Sequence, residues 1–219
     1  MNNIVVLGPQ GSGKGTQAEL LAARLGIPAI STGKLFRAEI EKKTGLGREI
    51  AAYVERGDIV PAATVNQVID ERLSEADAIL GFILDGFPRT LEQAEALDRI
   101  LQHGNNRQLT DAVLINISDD EAVHRLSGRR VCVNKNCGAT YHAEFNPPQK
   151  SPDKCDRCSS PLMQREDDTP EVIKHRLEIY HSDTEPVIQY YRERGLLREI
   201  NGNQPITKVE ADIAGVLGM

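Results

Sequence analysis

The first apolar run of the chain, Ile4 to Leu7, has no polar interruption and stops abruptly at a glycine-rich stretch, "GPQGSGKGT". A β-branched run without alternation predicts a parallel strand covered on both faces. The period then changes. In "TQAELLAARLG", Ala18, Leu21, Ala22 and Leu25 fall on one helical stripe, and Gly26 is placed to end the helix. Further strand-like runs follow at 27–32 ("IPAIST"), 81–85 ("GFILD"), 112–117 ("AVLINI") and 196–201 ("LLREIN"), with helical patterns between most of them. Such alternation predicts an α/β fold, a parallel sheet with helices on both faces. Ligands of these sheets sit at the carboxyl ends of the strands, which draws attention to Ser31, Thr32, Asp85, Gly86 and Arg89.

The glycine stretch lies between a predicted strand and a predicted helix, where a phosphate-binding loop belongs. Gly8, Gly13 and Lys14 fit G-x-x-x-x-G-K-[ST], but Gly15 stands where a hydroxyl is expected and Thr16 arrives one place late. Glycines let backbone N–H groups turn toward an anion, the helix N-terminus adds a favourable dipole, and Lys14 brings a mobile positive charge. The competing reading is a solvent-facing glycine turn.

In "LDGFPRT", Asp85 closes an apolar strand, where a carboxylate is costly unless it meets a cation, and Arg89 follows after Gly86 and Pro88. That pair fits a magnesium-associated acid and a bidentate phosphate grip, or an ordinary pair capping the next helix. "SDDEAVHRLSGRR" reads as a helix capped near Ser118, with Arg125 and Arg129 four apart on one face. Arg165 and Arg176 flank "EDDTPEVIKH", where Thr169 can cap a helix and Pro170 suits its first turn.

All four cysteines lie between 132 and 158 of the 219 residues, as C-x4-C (Cys132, Cys137), 17 residues, then C-x2-C (Cys155, Cys158). This spacing points to a closed structural zinc site rather than a disulfide framework, with His142 as an alternative ligand. A redox pair and unrelated thiols are the competing readings. A net charge of −6 disfavours broad nucleic-acid binding. Mean hydropathy is −0.37. No apolar run approaches the length of a membrane span, and "MNNIVVLG" lacks the features of a signal peptide, so a cytoplasmic protein is expected.

The motifs "GSGKGT", "ISTG…LFR", "RGDIVP", "LDGFPRT…Q", "GRRVC", "CGATYHAEFNPP", "REDDTPEVIKHRL" and "INGNQPI" together resemble bacterial adenylate kinases of the long-lid, zinc-containing type over nearly the whole chain. In that family the loop ends G-K-G-T, which accounts for the late hydroxyl. The resemblance implies a P-loop core at 1–30, 61–127 and 167–219, a helical AMP-binding insert at 31–60, and a zinc-stabilised lid at 128–166. It implies reversible transfer of a phosphoryl group from ATP to AMP with Mg2+, giving two ADP. A monomer is expected because no exposed apolar stripe is left unassigned, and the charge and the absence of a long apolar run argue against nucleic-acid and membrane partners. By the same resemblance, Gly11, Ser12, Gly13, Lys14, Gly15 and Thr16 cradle ATP phosphates, and Arg129, Thr140, Tyr141 and Gln204 contact ATP. Thr32, Arg37, Asp58, Ile59, Val60, Gly86, Phe87, Pro88, Arg89 and Gln93 form the AMP site, Gln93 reading adenine. Arg125, Arg165 and Arg176 close over the phosphates, and Asp85 lies near magnesium. The chain departs from the family pattern at Gln10, at Lys34 and in the longer first cysteine knuckle. Two rival readings are a kinase for another nucleoside monophosphate and a nucleotide-switched zinc-knuckle binding protein.

Overall fold

A computed structural model describes all residues except 104–105, 135–136 and 166, so Lys135 and Asn136 of the long knuckle and Glu166 lie outside the described residues. Strand β1 (Asn2–Leu7) leads into helix α1 (Lys14–Leu25), followed by β2 (Ala29–Ser31), α2 (Thr32–Glu41), α3 (Gly45–Arg56), α4 (Ala62–Leu73), β3 (Gly81–Asp85) and α5 (Leu91–His103). The second half comprises β4 (Asp111–Asn116), α6 (Asp119–Ser127), β5 (Arg129–Cys132), β6 (Thr140–His142), β7 (Leu162–Met163), α7 (Pro170–Ile179), α8 (Glu185–Glu193), β8 (Leu197–Asn201) and α9 (Ile206–Val216). A π-helical turn, Tyr180–Thr184, joins α7 to α8.

The main sheet is parallel, in the order β2-β3-β1-β4-β8. Its central strands divide their side chains between two cores, as a strand covered on both faces must. Ile4 and Val6 pack with Ile83, Val113, Leu21 and Ile213 on one side. Val5 and Leu7 pack with Phe82, Leu84, Leu114 and Leu97 on the other. Each large aliphatic side chain so buried contributes about 1.5–3 kcal/mol of transfer free energy. No helix among the described residues is long and apolar enough to cross a membrane.

The expected caps form: the Ser118 hydroxyl accepts from the Glu121 N–H and the Thr169 hydroxyl from the Val172 N–H. Four elements differ in extent from the sequence reading. Strand β2 has three residues, because Thr32 already begins α2. Strand β4 starts and ends one residue earlier than the apolar run, and β8 starts one residue later. Most consequentially, α6 ends at Ser127 and Arg129 opens β5, so Arg125 and Arg129 do not share a helix face. The cause is Gly128, where any Cβ would collide with the His142 ring; a residue without a side chain lets β6 pass beside the helix end.

The segment between α6 and α7 forms its own antiparallel sheet, β6-β5-β7, around Cys132, Ala139, Tyr141 and Cys155.

Candidate active site and cysteine cluster

The glycine loop runs from the carboxyl end of β1 to the start of α1. At Gly8 the backbone takes φ 138° and a Cβ would strike the Ile115 carbonyl, so only glycine lets the loop lie against β4. Lys14 donates from Nζ to the carbonyl oxygens of Gly8 and Pro9, both at 2.7 Å. Burial lowers its pKa to about 8, with Arg89 and Arg129 adding to the effect and Asp85 opposing it. Asp85 ends β3, where its Oδ2 accepts from the Ser31 hydroxyl at 3.1 Å. The same oxygen faces Gly15: a Cβ there would sit 3.4 Å from it. The residue following the lysine thus lies directly beneath a carboxylate.

A cleft of about 550 Å³ of empty space, continuous with solvent, opens between α2, the chain after α3, the β3–α5 loop and α7. Of the expected AMP-site residues, Arg37, Asp58, Ile59, Val60, Gly86, Arg89 and Gln93 line it, together with Arg165 and Arg176. Thr32, Phe87 and Pro88 do not. The Thr32 hydroxyl donates to the carbonyl oxygens of Asp85 and Gly86, and Phe87 is buried in the larger core; both support the loop from behind. Arg89 donates through Nε to the Gly86 carbonyl (3.0 Å) and through its main-chain N–H to Gln93 Oε1 (2.7 Å). Asp58 turns its carboxylate to Arg56 Nε (2.7 Å) and His175 Nε2 (2.8 Å), which ties the chain after α3 to α7.

Two carboxylates absent from the sequence reading organise the arginines. Asp167 pairs with both Arg165 and Arg176, and Asp168, its side chain wholly buried, pairs with Arg129 through two bonds. Burial favours protonated Asp167, yet Arg165 and Arg176 hold its carboxyl well below the usual carboxylate range. Burial, with Arg165 nearby, lowers the Arg37 pKa to about 10, and burial likewise lowers those of Arg89 and Arg129. Lys14 and five arginines, 37, 89, 129, 165 and 176, therefore face three carboxylates, Asp85, Asp167 and Asp168. A desolvated cluster with that excess of positive charge is built for a multiply charged anion. Arg125 stands outside it, donating to Glu121 Oε1 (2.6 Å) and to the Gly202 carbonyl (2.9 Å). In the sequence, Asp167 and Asp168 follow Arg165 and Glu166 in "REDD", where nothing separates a buried acid from a solvated one.

The sulfur atoms of Cys132, Cys137, Cys155 and Cys158 lie within 4.8 Å of one another. Cys132 and Cys158 are 3.4 Å apart and Cys137 and Cys155 3.6 Å. The Tyr141 hydroxyl lowers the Cys155 pKa to about 6, and hydrogen bonding by Ser160 lowers that of Cys158, whereas burial raises Cys132 to about 12. Four clustered sulfurs suit a soft, tetrahedral ion such as zinc. His142 is not in the cluster; its Nδ1 accepts from the Glu144 and Phe145 N–H groups. Tyr141 also departs from expectation. Its ring is buried and its hydroxyl lies 3.4 Å from Cys155 Sγ, so the side chain faces the cysteines, while Thr140 on the same strand is exposed. Gln204, in the loop that Arg125 touches, donates to the Asn201 carbonyl (2.7 Å) and to Asp212 of α9 (3.0 Å).

The family model "Adenylate kinase" matches residues 6–196. The chain is 49% identical over 216 residues to the adenylate kinase of Geobacillus sp. (strain WCH70), covering 99% of this chain and 98% of the relative. It is 47% identical over 215 residues to that of Clostridium botulinum (strain Langeland), covering 98% of each. It is 46% identical over 215 residues to that of Lachnospira eligens, covering 98% of this chain and 99% of the relative.

Proposed function

The chain belongs to the adenylate kinase family, and on that premise we propose which of its residues carry the reaction. It transfers the terminal phosphoryl group of ATP to AMP, reversibly, giving two ADP. Phosphoryl transfer asks little covalent chemistry of a protein, so positioning and charge neutralisation dominate. Gly11 to Thr16 hold the ATP phosphates through backbone N–H groups, with Lys14 neutralising the charge that builds on the transferring group. Arg37 and Arg89 grip the AMP phosphate. Gln93 reads the adenine of AMP, beside Ile59 and Val60. Arg129, Arg165 and Arg176 close over the transferring phosphoryl, exchanging part of their pairing with Asp167 and Asp168 for substrate oxygens. Thr140, Gln204 and Arg125 serve the ATP side, Arg125 from beside the 202–204 loop.

Magnesium accompanies ATP and supplies further neutralisation of phosphate charge; Asp85, beside Gly15, is the residue placed to hold it directly or through water. Zinc held by the four cysteines stiffens the lid and takes no part in the chemistry. Segments 31–60 and 128–166 close over the two nucleotides against a core of 1–30, 61–127 and 167–219, and closure keeps water from the transferring group. A monomeric cytoplasmic enzyme acting on free nucleotides completes the reading; the net charge of −6 supports the exclusion of polyanions.

The observation that carries this reading is the convergence of Lys14 with five arginines around Asp85, Asp167 and Asp168. Coupled measurement of ADP formation from ATP and AMP, with GMP, CMP and UMP alongside, tests it. Fast turnover with AMP is expected. Faster turnover with another monophosphate would replace the acceptor, and none from folded protein would reject the assignment.

A further inference from the structure

We propose that Tyr141 serves the metal site rather than the nucleotide site: its hydroxyl holds the Cys155 sulfur in place by a hydrogen bond, without itself touching the ion. This rests on the reading that the four cysteines bind a metal.

A phenol oxygen has one proton and room to accept. The Asp156 N–H donates to the Tyr141 oxygen at 2.8 Å, which uses its acceptor side. The remaining proton has a partner in Cys155 Sγ at 3.4 Å. Tyr141 and Cys155 are 8% and 1% exposed, so solvent does not compete for either group. Four thiolates around a divalent ion carry a net charge of about −2, and each donor to a sulfur disperses it, as outer hydrogen bonds do at metal sites generally. The bond also has a geometric effect. One hydroxyl engages two successive residues, Cys155 and Asp156, and so pins the start of the C-x2-C knuckle onto β6. Asp156 extends the tie by accepting from the N–H groups of Gln149 (2.9 Å) and Lys150 (2.8 Å). Because alternate residues of a strand point to opposite faces, Thr140 and His142 project away from the side that Tyr141 occupies. Any side-chain contact that β6 makes with a nucleotide therefore comes from the face of Thr140 and His142, and Tyr141 is left with its main chain.

Tyr141→Phe removes the hydroxyl and keeps the ring. Zinc-loaded wild-type and variant proteins, each assayed for metal content, are mixed with a chromophoric chelator and the rate of zinc transfer is followed. Loss of an outer hydrogen bond of this kind is expected to speed release by about tenfold, the lower end of the usual range for such contacts. The KM for ATP is expected to stay within about twofold of wild type. Cobalt-substituted protein supplies a second reading that mere loosening of the lid would not move. Without the donor, the sulfur lone pairs rise in energy and the thiolate-to-cobalt charge-transfer band moves to longer wavelength. Zinc release at the wild-type rate, an unshifted cobalt band, or a raised KM for ATP with metal retention unchanged would each overturn the proposal. A wild-type protein that takes up no zinc through its cysteines would instead overturn the metal reading beneath it.

Discussion

The hydroxyl of Thr184 donates to the main-chain carbonyl of Arg89 at 3.0 Å, across 95 positions of sequence. Thr184 is buried and closes the π-helical turn between α7 and α8. The extra residue in a π turn shifts the side chains that follow it, and such turns recur at functional sites. Arg89 is thus held at its carbonyl by Thr184, at its N–H by Gln93 and at its side chain by Gly86.

Thr184→Val should therefore raise the KM for AMP by about five- to thirtyfold, since a buried carbonyl that loses its donor costs about 1–2 kcal/mol. The KM for ATP should barely move, and Thr184→Ser should restore wild-type behaviour. Steady-state kinetics with each nucleotide varied in turn checks this; equal changes in both KM values would reject a specific role at Arg89.

The strands of the main sheet were legible because their apolar runs are continuous, and a strand covered on both faces leaves that mark in the local sequence. The phosphate loop was legible for the same reason: its strand, glycines, lysine and helix are all neighbours. Asp167 and Asp168 were not, because acids in a polar stretch look alike whether solvated or buried. Their burial arises only when β5 and α7 meet. Arg129 was misread because the helical pattern was carried through Gly128, although a glycine also ends α1 at Gly26; that Gly128 must lack a side chain follows from His142, on another strand. Thr184 left no signal either, because a π turn continues the look of a helix.

His181 makes a pH-dependent tie between α6 and the α7–α8 junction. Its Nε2 meets Asp119 Oδ2 at 2.9 Å and its Nδ1 meets Glu185 Oε1 at 2.7 Å. Hydrogen bonds to Asp119, then Glu185, raise its pKa above 6.5. A raised folded-state pKa means that the native protein binds the proton more tightly. The stabilisation is complete below 6.5 and is lost as pH rises through the folded value. His181→Gln should lower Tm most near pH 6, and the gap should shrink by pH 8.5. A gap of equal size at both pH values would show that charge on His181 contributes nothing.

Removing the metal should unfold the protein sooner without first silencing it. The segment between α6 and α7 has a small core, Cys132, Ala139, Tyr141 and Cys155, so an ion held by the four cysteines would supply much of its cohesion. Loss of even a few kcal/mol would shift Tm by about 5–10 °C for a chain of this length. Initial rates at mild temperature should change less than about twofold, because a closed tetrathiolate site has no open position for chemistry. Melting curves and initial rates before and after chelation decide the matter; immediate loss of activity from still-folded protein would point to a catalytic metal.

Lys14→Met separates catalysis from stability. On the proposed assignment the ammonium would face the transferring group, so kcat should fall at least about 10²-fold, the size of effect seen when one preorganised donor to transition-state charge is removed. Stability should not fall with it. Burial lowers the Lys14 pKa to about 8 from 10.5, so the folded state binds this proton less well than the unfolded chain does. Its unfavourable contribution is therefore full below pH 8 and fades as pH rises toward 10.5. The variant should melt at or above the wild-type Tm at pH 7, and by pH 9.5 wild type should gain on it. Parallel measurements of kcat and of Tm at both pH values provide the check. A variant with near-normal kcat would reject the phosphate-loop assignment, and a Tm well below wild type at pH 7 would mean that the two carbonyl bonds from Lys14 outweigh the cost of burying its charge.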